Sequence, residues 1–201
     1  MHQDATSSRH DSAYLSHYAM DKGEVISAIK RARKGIDQYL EIMDLFHSTD
    51  VSIDTEFQRK FNAFYRVRQR PSNWYKTYYS FMQQQKGKNP NFSRVLRYLY
   101  SELGRYEPSF SSKFVATHNP DLPIWDRFVL KFTGIRPLYY SDPKKLFKAE
   151  QKYKEIKNWY QRYLTSDNGM LIVKMFDELV PEHNRISKLK KIDFVLWQIR
   201  A

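Results

Sequence analysis

Residues 103–130 read LGRYEPSFSSKFVATHNPDLPIWDRFVL, and this stretch has the pattern of a helix end, a tight turn, a helix, a proline-containing loop and a further helix. Gly104 stands where a left-handed residue ends a helix, and the two prolines of NPDLP stop the helix that follows the turn. Asp126 directly precedes the last apolar run, in the position of a helix N-cap. A carboxylate there is either a structural cap or a catalytic acid, and the stretch alone leaves both alternatives open.

The same helical period continues outward in both directions. Asp21 and Glu24 have the form of a capping box, and the apolar stripe behind them consists of Val25, Ile29, Ala32, Ile36, Leu40, Met43 and Phe46. Further helices are predicted at about residues 54–68, from Ser72, from Asn91, at 144–165, at 169–180 and at 187–200. The sequence therefore predicts an all-α fold, a single compact domain of about nine helices over residues 21–201, behind a flexible tail at residues 1–20.

The composition favours a polyanionic partner. Thirty-four basic residues against 22 acidic ones give a formal charge of +12, and the pI is about 9.7. Nucleic acid is the usual partner of such a domain, although an anionic membrane surface or simple solubility is the alternative. A hydrophobic fraction of 41% with 16% aromatic residues excludes wholesale disorder and predicts an aromatic core.

Several classes of site are not expected. The absence of cysteine excludes disulfides, thiolate metal sites and cysteine nucleophiles. The six histidines lack the spacing of metal ligands, so neither a metal nor a cofactor is predicted. No apolar run approaches the ~18 residues of a membrane span, and the N-terminal sequence lacks the pattern of a signal peptide. We expect a cytoplasmic monomer.

Two candidate nucleic-acid contacts lie upstream of the deciding stretch. Arg66, Arg68 and Arg70 alternate at the predicted end of the second helix. Their guanidinium groups are suited either to phosphates or to the negative end of the helix dipole. Trp74, in the segment WYKTYY, could stack on a base, although aromatic residues at helical spacing are typical of a core.

The turn at residues 104–107 predicts an anion-binding site. A tight turn that leads into a helix N-terminus presents backbone N–H groups to an anion. Asp126 would then lie about one helix length from a bound phosphate. This arrangement suits an enzyme that acts on the sugar–base bond of a flipped nucleotide.

In this respect the stretch resembles the helix-hairpin-helix DNA glycosylase superfamily, which includes the adenine and 8-oxoguanine glycosylases. The resemblance implies that Asp126, within PIWDRFV, is the catalytic carboxylate, and that Leu103–Glu107 correspond to the family hairpin. The string FSSKFVATHNPDLPIWD, together with the closing KKIDFVLWQIR, also resembles uncharacterised prokaryotic proteins related to the 8-oxoguanine glycosylase fold. Double-stranded DNA is the partner that these resemblances imply.

The stretch departs from the family pattern at two places. Tyr106 occupies the second glycine position of the hairpin, where a side chain hinders close approach to a phosphate. The family's Schiff-base lysine falls at Glu107 or Pro108 in an ungapped comparison, so Lys113 is out of register. A monofunctional mechanism follows, in which Asp126 stabilises the oxocarbenium-like sugar and activates water. Lys113 is then a phosphate contact or a surface residue.

The sequence thus predicts a DNA glycosylase-like protein that flips and excises a modified base, with a catalytically inactive DNA-binding protein of the same fold as the alternative. A helical protein-interaction module is a third possibility. The predicted DNA contacts are Arg66, Arg68, Arg70, Gly104, Arg105, Tyr106, Lys113 and Arg127. Trp125, like Trp74, is a candidate for base stacking, with a place in the core as the alternative.

Overall fold

The computed structural model describes residues 20–136, 138 and 140–199, and the regular structure in these residues is entirely helical. The helices are α1 (Lys22–Ser48), α2 (Thr55–Tyr65), α3 (Ser72–Gln84), α4 (Phe92–Leu103), α5 (Pro108–His118), α6 (Arg127–Thr133), α7 (Lys145–Leu164), α8 (Asp167–Leu179) and α9 (Lys188–Gln198). A 3-10 turn, His183–Arg185, joins α8 to α9. The prediction of an all-α fold with about nine helices is confirmed.

The predicted tail at residues 1–20 falls almost wholly outside the described residues. Met20 is described, and its backbone N–H donates to the side-chain oxygen of Asn168 at 2.9 Å. The bond ties the start of α1 to the start of α8.

The helix ends follow local side-chain chemistry at most positions. The side chain of Asp21 accepts the N–H of Glu24, and that of Asn91 accepts the N–H of Arg94. Gly104 ends α4 in the left-handed region, with φ 62°. The prediction that Ser72 caps α3 is wrong. Pro71 takes the N-cap position, and it makes no side-chain hydrogen bond to the helix.

The second helix ends three residues earlier than the sequence predicts. Arg66 adopts a left-handed conformation with φ 55°, and the N–H of Val67 bonds back to the carbonyl of Asn62. Arg66 therefore stands at the end of the helix, where it can complement the dipole, whereas Arg68 and Arg70 lie beyond it in a loop.

Helix α1 is central in the fold, and α2, α8 and α9 pack against it. Helices α4 and α5 pack together, while α6 and α7 lie against α9. The predicted aromatic core is present, and its fully buried members include Phe57, Phe61, Trp74, Tyr78, Tyr79, Phe114, Tyr160 and Phe176. None of the helices in the described residues is long and apolar enough to cross a membrane.

Candidate active site

The carboxylate of Asp126 caps helix α6. Its Oδ1 accepts the backbone N–H groups of Phe128 and Val129, both at 2.9 Å. Oδ2 accepts no hydrogen bond from the residues that the structure describes, and the side chain is only half-buried. Asp126 is therefore a structural N-cap, as one alternative predicted, and its second oxygen is left for another partner.

That residue also lines a cavity of about 440 Å³. The cavity is enclosed by residues of α1, α2, α5, α6 and α9 and by the loop after α2. Its walls are aromatic at Phe64, Tyr65, Phe128 and Trp197, carry amides at Gln38 and Gln198, and carry charges at Arg66, Lys113, Asp126 and Arg127. Four residues that the sequence singled out for DNA chemistry thus meet at one place: Arg66, Lys113, Asp126 and Arg127.

Lys113 is the unexpected member of this group. It is only 9% exposed, and its ammonium donates to the carbonyl of Tyr65 at 3.3 Å and lies 4.8 Å from the ring centroid of Phe110. The interpretation of Lys113 as a surface residue is wrong, because the lysine projects from α5 into the protein and towards the cavity. Sequence register could not reveal this, since it depends on how α5 packs against α2.

Burial changes the acid–base behaviour of this lysine. The pKa of Lys113 is lowered from 10.5 to about 8, mainly by loss of solvation and also by the positive charges of Lys190 and Arg66. The negative charges of Asp126 and Glu107 oppose this effect. An amine with such a pKa is partly neutral near pH 7.5 and can act as a nucleophile.

A second, more apolar cavity of about 690 Å³ lies on the other side of the start of α6 and shares Asp126 and Arg127 with the first. Trp125 lines it, but this tryptophan is 5% exposed and stacks on Phe92 with an interplanar angle of 8°. Trp125 therefore has the core position that the sequence analysis gave as its alternative. The first turn of α6 separates two spaces that can each admit a small group.

Trp74 is not available for base stacking. It is fully buried, stacked on Tyr78 with centroids 4.7 Å apart, and packed edge-on against Phe110. An extruded base could reach this ring only if α3 moved. The prediction that Trp74 stacks on a base is therefore wrong.

The predicted hairpin is built around a buried carboxylate. Glu107 is 3% exposed and accepts from Arg70 at 3.2 Å and from Arg105 at 3.1 Å. The guanidinium of Arg70 also lies 5.0 Å from the ring centroid of Phe110. Arg70 thus pairs with a buried carboxylate inside the protein, so the prediction that it contacts a phosphate is wrong. Arg105, by contrast, is half-exposed.

The end of α5 at this hairpin is poorly suited to a phosphate. Pro108 is the first residue of the helix and has no N–H to offer, and Glu107 places a negative charge beside it. Tyr106 is buried, and its carbonyl accepts the hydroxyl of Tyr140 at 2.8 Å. Residues 103–107 do not line the cavity at Asp126. The predicted anion grip is therefore not formed by this turn, although the exposed Gly104 and Arg105 remain candidate contacts.

The described residues contain no group of three or more His, Asp or Glu side chains placed to hold a metal ion. Comparisons with protein-family models, with curated proteins and with solved structures give no match. The candidate site is the cavity that Asp126 and Lys113 line, together with the exposed side chains of Arg66 and Arg127.

Proposed function

We propose that this protein excises a base from DNA, and that Asp126 and Lys113 act on the sugar of a nucleotide turned out of the duplex. One observation carries the proposal: a half-buried carboxylate and a buried amine reach the same aromatic-walled cavity. Its volume lies within the ~300–1,000 Å³ range of small-molecule pockets. Flat aromatic walls with amide groups are what an everted base requires, since it is held by stacking and by hydrogen bonds to its edge.

The chemistry follows from the two groups. The neutral amine of Lys113 attacks C1′ of the sugar, the glycosidic bond breaks, and the base leaves with the bonding electrons. The base takes up the proton that the amine loses. The bond between C1′ and the ring oxygen then breaks, the oxygen takes a proton from solvent, and an iminium is left on Lys113. Asp126 stabilises the positive charge that develops on the sugar. Water can attack in place of the amine, with Asp126 accepting its proton, which is the monofunctional route that the sequence analysis predicted.

The charge distribution supports DNA as the substrate. The formal charge is +12, and Arg66 and Arg127 are exposed at the cavity that holds Asp126. Guanidinium groups pair with phosphates and release counterions, which gives an affinity that falls steeply as salt rises. Arg68 is also exposed, next to Arg66 in the loop.

The test is incubation with duplexes that carry uracil, 8-oxoguanine, hypoxanthine or an alkylated base, followed by alkali to reveal abasic sites. Parallel reactions contain borohydride, which reduces an iminium to a stable protein–DNA adduct. We expect base release from at least one duplex. Asp126→Asn should abolish turnover and keep DNA affinity, because asparagine is an equally good N-cap but carries no negative charge. Lys113→Met should lose the borohydride adduct.

Lys154→Met is the matched control for Lys113→Met. It removes the same charge from an exposed position on α7, so base release and adduct formation should be unchanged. Duplex binding without base release from any member of the panel would refute the proposed function.

The second candidate is a catalytically inactive DNA-binding protein. The specific observation in its favour is that Oδ1 of Asp126 is fully used by the N–H groups of α6. In this case Asp126→Asn and Lys113→Met would bind duplex DNA as the wild type does, and neither wild type nor variants would release a base. Arg66→Ala and Arg127→Ala would each weaken binding and reduce its salt dependence.

A further inference from the structure

A second buried lysine lies behind the wall of the cavity. Lys190, on α9, is 3% exposed, and its ammonium has no hydrogen-bond partner among the described residues. It lies 3.5 Å from Oδ2 of Asp193, which is fully buried and likewise unbonded at that oxygen. Four rings surround the ammonium, with centroids at 4.8 Å (Trp197), 5.2 Å (Tyr39), 5.4 Å (Phe194) and 6.0 Å (Tyr65).

Stability does not explain this pair. Taking two charges out of water is so unfavourable that apolar residues of similar volume are often equally or more stabilising. The hydroxyl of Tyr160 donates to Oδ1 of Asp193, which satisfies one oxygen only. A core that retains an incompletely bonded ion pair invites a functional explanation, and the position of the pair suggests one.

Lys190 lies next to two of the aromatic rings that line the cavity. Tyr65 and Trp197 both line it, and the ammonium of Lys190 lies 6.0 Å and 4.8 Å from their ring centroids. The ammonium of Lys113 also lies over Tyr65, 5.9 Å from the ring centroid. Two buried lysine side chains thus share one ring, and of these two only Lys113 lines the cavity.

We propose that Lys190, held in place by Asp193, is a positioning residue whose buried charge keeps the amine of Lys113 neutral and hence nucleophilic. A like charge nearby disfavours protonation, and a cation beside a lysine is one of the known ways to activate its amine. The purpose of this arrangement rests on the proposed function, but the arrangement itself can be tested without DNA.

The other charges around both lysines agree with this role. Lys113 faces Arg66 after α2, which also disfavours its protonation, and Asp126 and Glu107, which favour it. Burial lowers the pKa of Lys190, whereas Asp193 on its own helix and Asp126 at the start of α6 oppose this effect and favour the charged form. Asp193 is thus the carboxylate that can keep Lys190 positively charged.

The neighbouring hydroxyl groups do not supply a competing charge near neutral pH. Burial raises the pKa of Tyr39 and of Tyr65 above the ordinary value of a phenol. The same holds for Tyr160, which bonds to Asp193. Asp193 itself has its pKa raised to about 6 by burial, against the opposing charge of Lys190. Above about pH 6 Asp193 is therefore ionised.

The test measures the protonation of Lys113 directly. Purified full-length protein is treated briefly with acetic anhydride at a series of pH values, and acetylation of Lys113 is quantified by peptide mass spectrometry. In the wild type the rate should rise with a midpoint near pH 8. Lys190→Met should raise that midpoint by about one pH unit, so that Lys113 reacts on the order of tenfold more slowly at pH 7.

Two variants make the result specific. Lys190→Arg keeps the cation and should restore the wild-type midpoint. Lys191→Met removes the adjacent lysine, which is also buried but pairs with Asp177 on α8, and should leave the midpoint unchanged. A midpoint that stays at the wild-type value in folded Lys190→Met overturns the proposal. So does a Lys190→Arg protein that behaves like Lys190→Met.

This outcome is separable from that of the DNA experiment. A shifted midpoint in a protein that releases no base would support the charge coupling and refute the proposed excision. Base release with an unshifted midpoint would do the reverse.

Discussion

Replacing Lys113 with methionine should stabilise the protein at neutral pH. Lowering the pKa of a buried ammonium from 10.5 to about 8 corresponds to about 3 kcal/mol of unfavourable free energy, at ~1.4 kcal/mol per pKa unit. Methionine has a similar length, lacks the charge and suits an aromatic surrounding. The lost hydrogen bond to Tyr65 and the lost contact with Phe110 offset ~1–2 kcal/mol. Lys113→Met should therefore be about 1–2 kcal/mol more stable than the wild type.

The pH dependence of the free energy of unfolding gives a second test of this prediction. The folded-state pKa of Lys113 lies below the unfolded one, so the unfolded chain holds more protons between about pH 8 and 10.5. The contribution of Lys113 to wild-type stability therefore rises with pH across that window. The advantage of Lys113→Met should be full below pH 8 and should shrink as the pH approaches 10.

Urea unfolding, followed by circular dichroism at pH 7, 8, 9 and 10, measures both effects. Lys154→Met, which removes an exposed lysine, should differ from the wild type by less than ~0.5 kcal/mol at each pH. The reasoning is refuted if Lys113→Met is the less stable protein at pH 7 and the difference does not change up to pH 10. Lys113 would then be a well-compensated structural residue and a poor nucleophile.

Five further substitutions test the surroundings of the site by urea unfolding. Asp126→Ala should cost ~1–2 kcal/mol, because two N–H groups of α6 lose their acceptor, whereas Asp126→Asn should cost less than ~0.5 kcal/mol. Gly104→Ala should cost ~1–2 kcal/mol through its positive φ alone, since an added Cβ would meet open space. Glu107→Ala should cost ~3 kcal/mol because Arg70 would be left without its counter-charge, whereas Arg105→Ala, at a half-exposed position, should cost less than ~1 kcal/mol.

The parts of the fold that the sequence predicts correctly are those decided by neighbouring residues. The stripe of α1, the caps at Asp21 and Asn91 and the left-handed Gly104 each depend on side chains a few positions apart. The end of α2 could not be predicted in this way. Arg66 is left-handed without being glycine, and no local residue preference indicates such a turn.

The candidate site could be predicted only where it lies within one stretch. Asp126 and Arg127 were found because they sit in a recognisable context at the start of α6. Gln38 and Gln198 are far apart in the sequence, and both line the cavity because α9 packs along α1. No spacing in the sequence connects them, and no local pattern around Trp197 and Gln198 predicts that these two residues line a cavity.

The structural and catalytic interpretations of Asp126 are compatible, because the cap uses only one of the two carboxylate oxygens. Two hydrogen bonds of 2.9 Å fix Oδ1 on the first turn of α6, which leaves the carboxylate little rotational freedom to lose when a substrate arrives. A group held in this way can act on a nearby sugar without first being ordered, which is how positioning lowers a reaction barrier. The cap occupies Oδ1 and leaves Oδ2 able to act on a substrate. A protein group bound to Oδ2 in place of a ligand would contradict the catalytic interpretation and leave the cap as the whole role of Asp126.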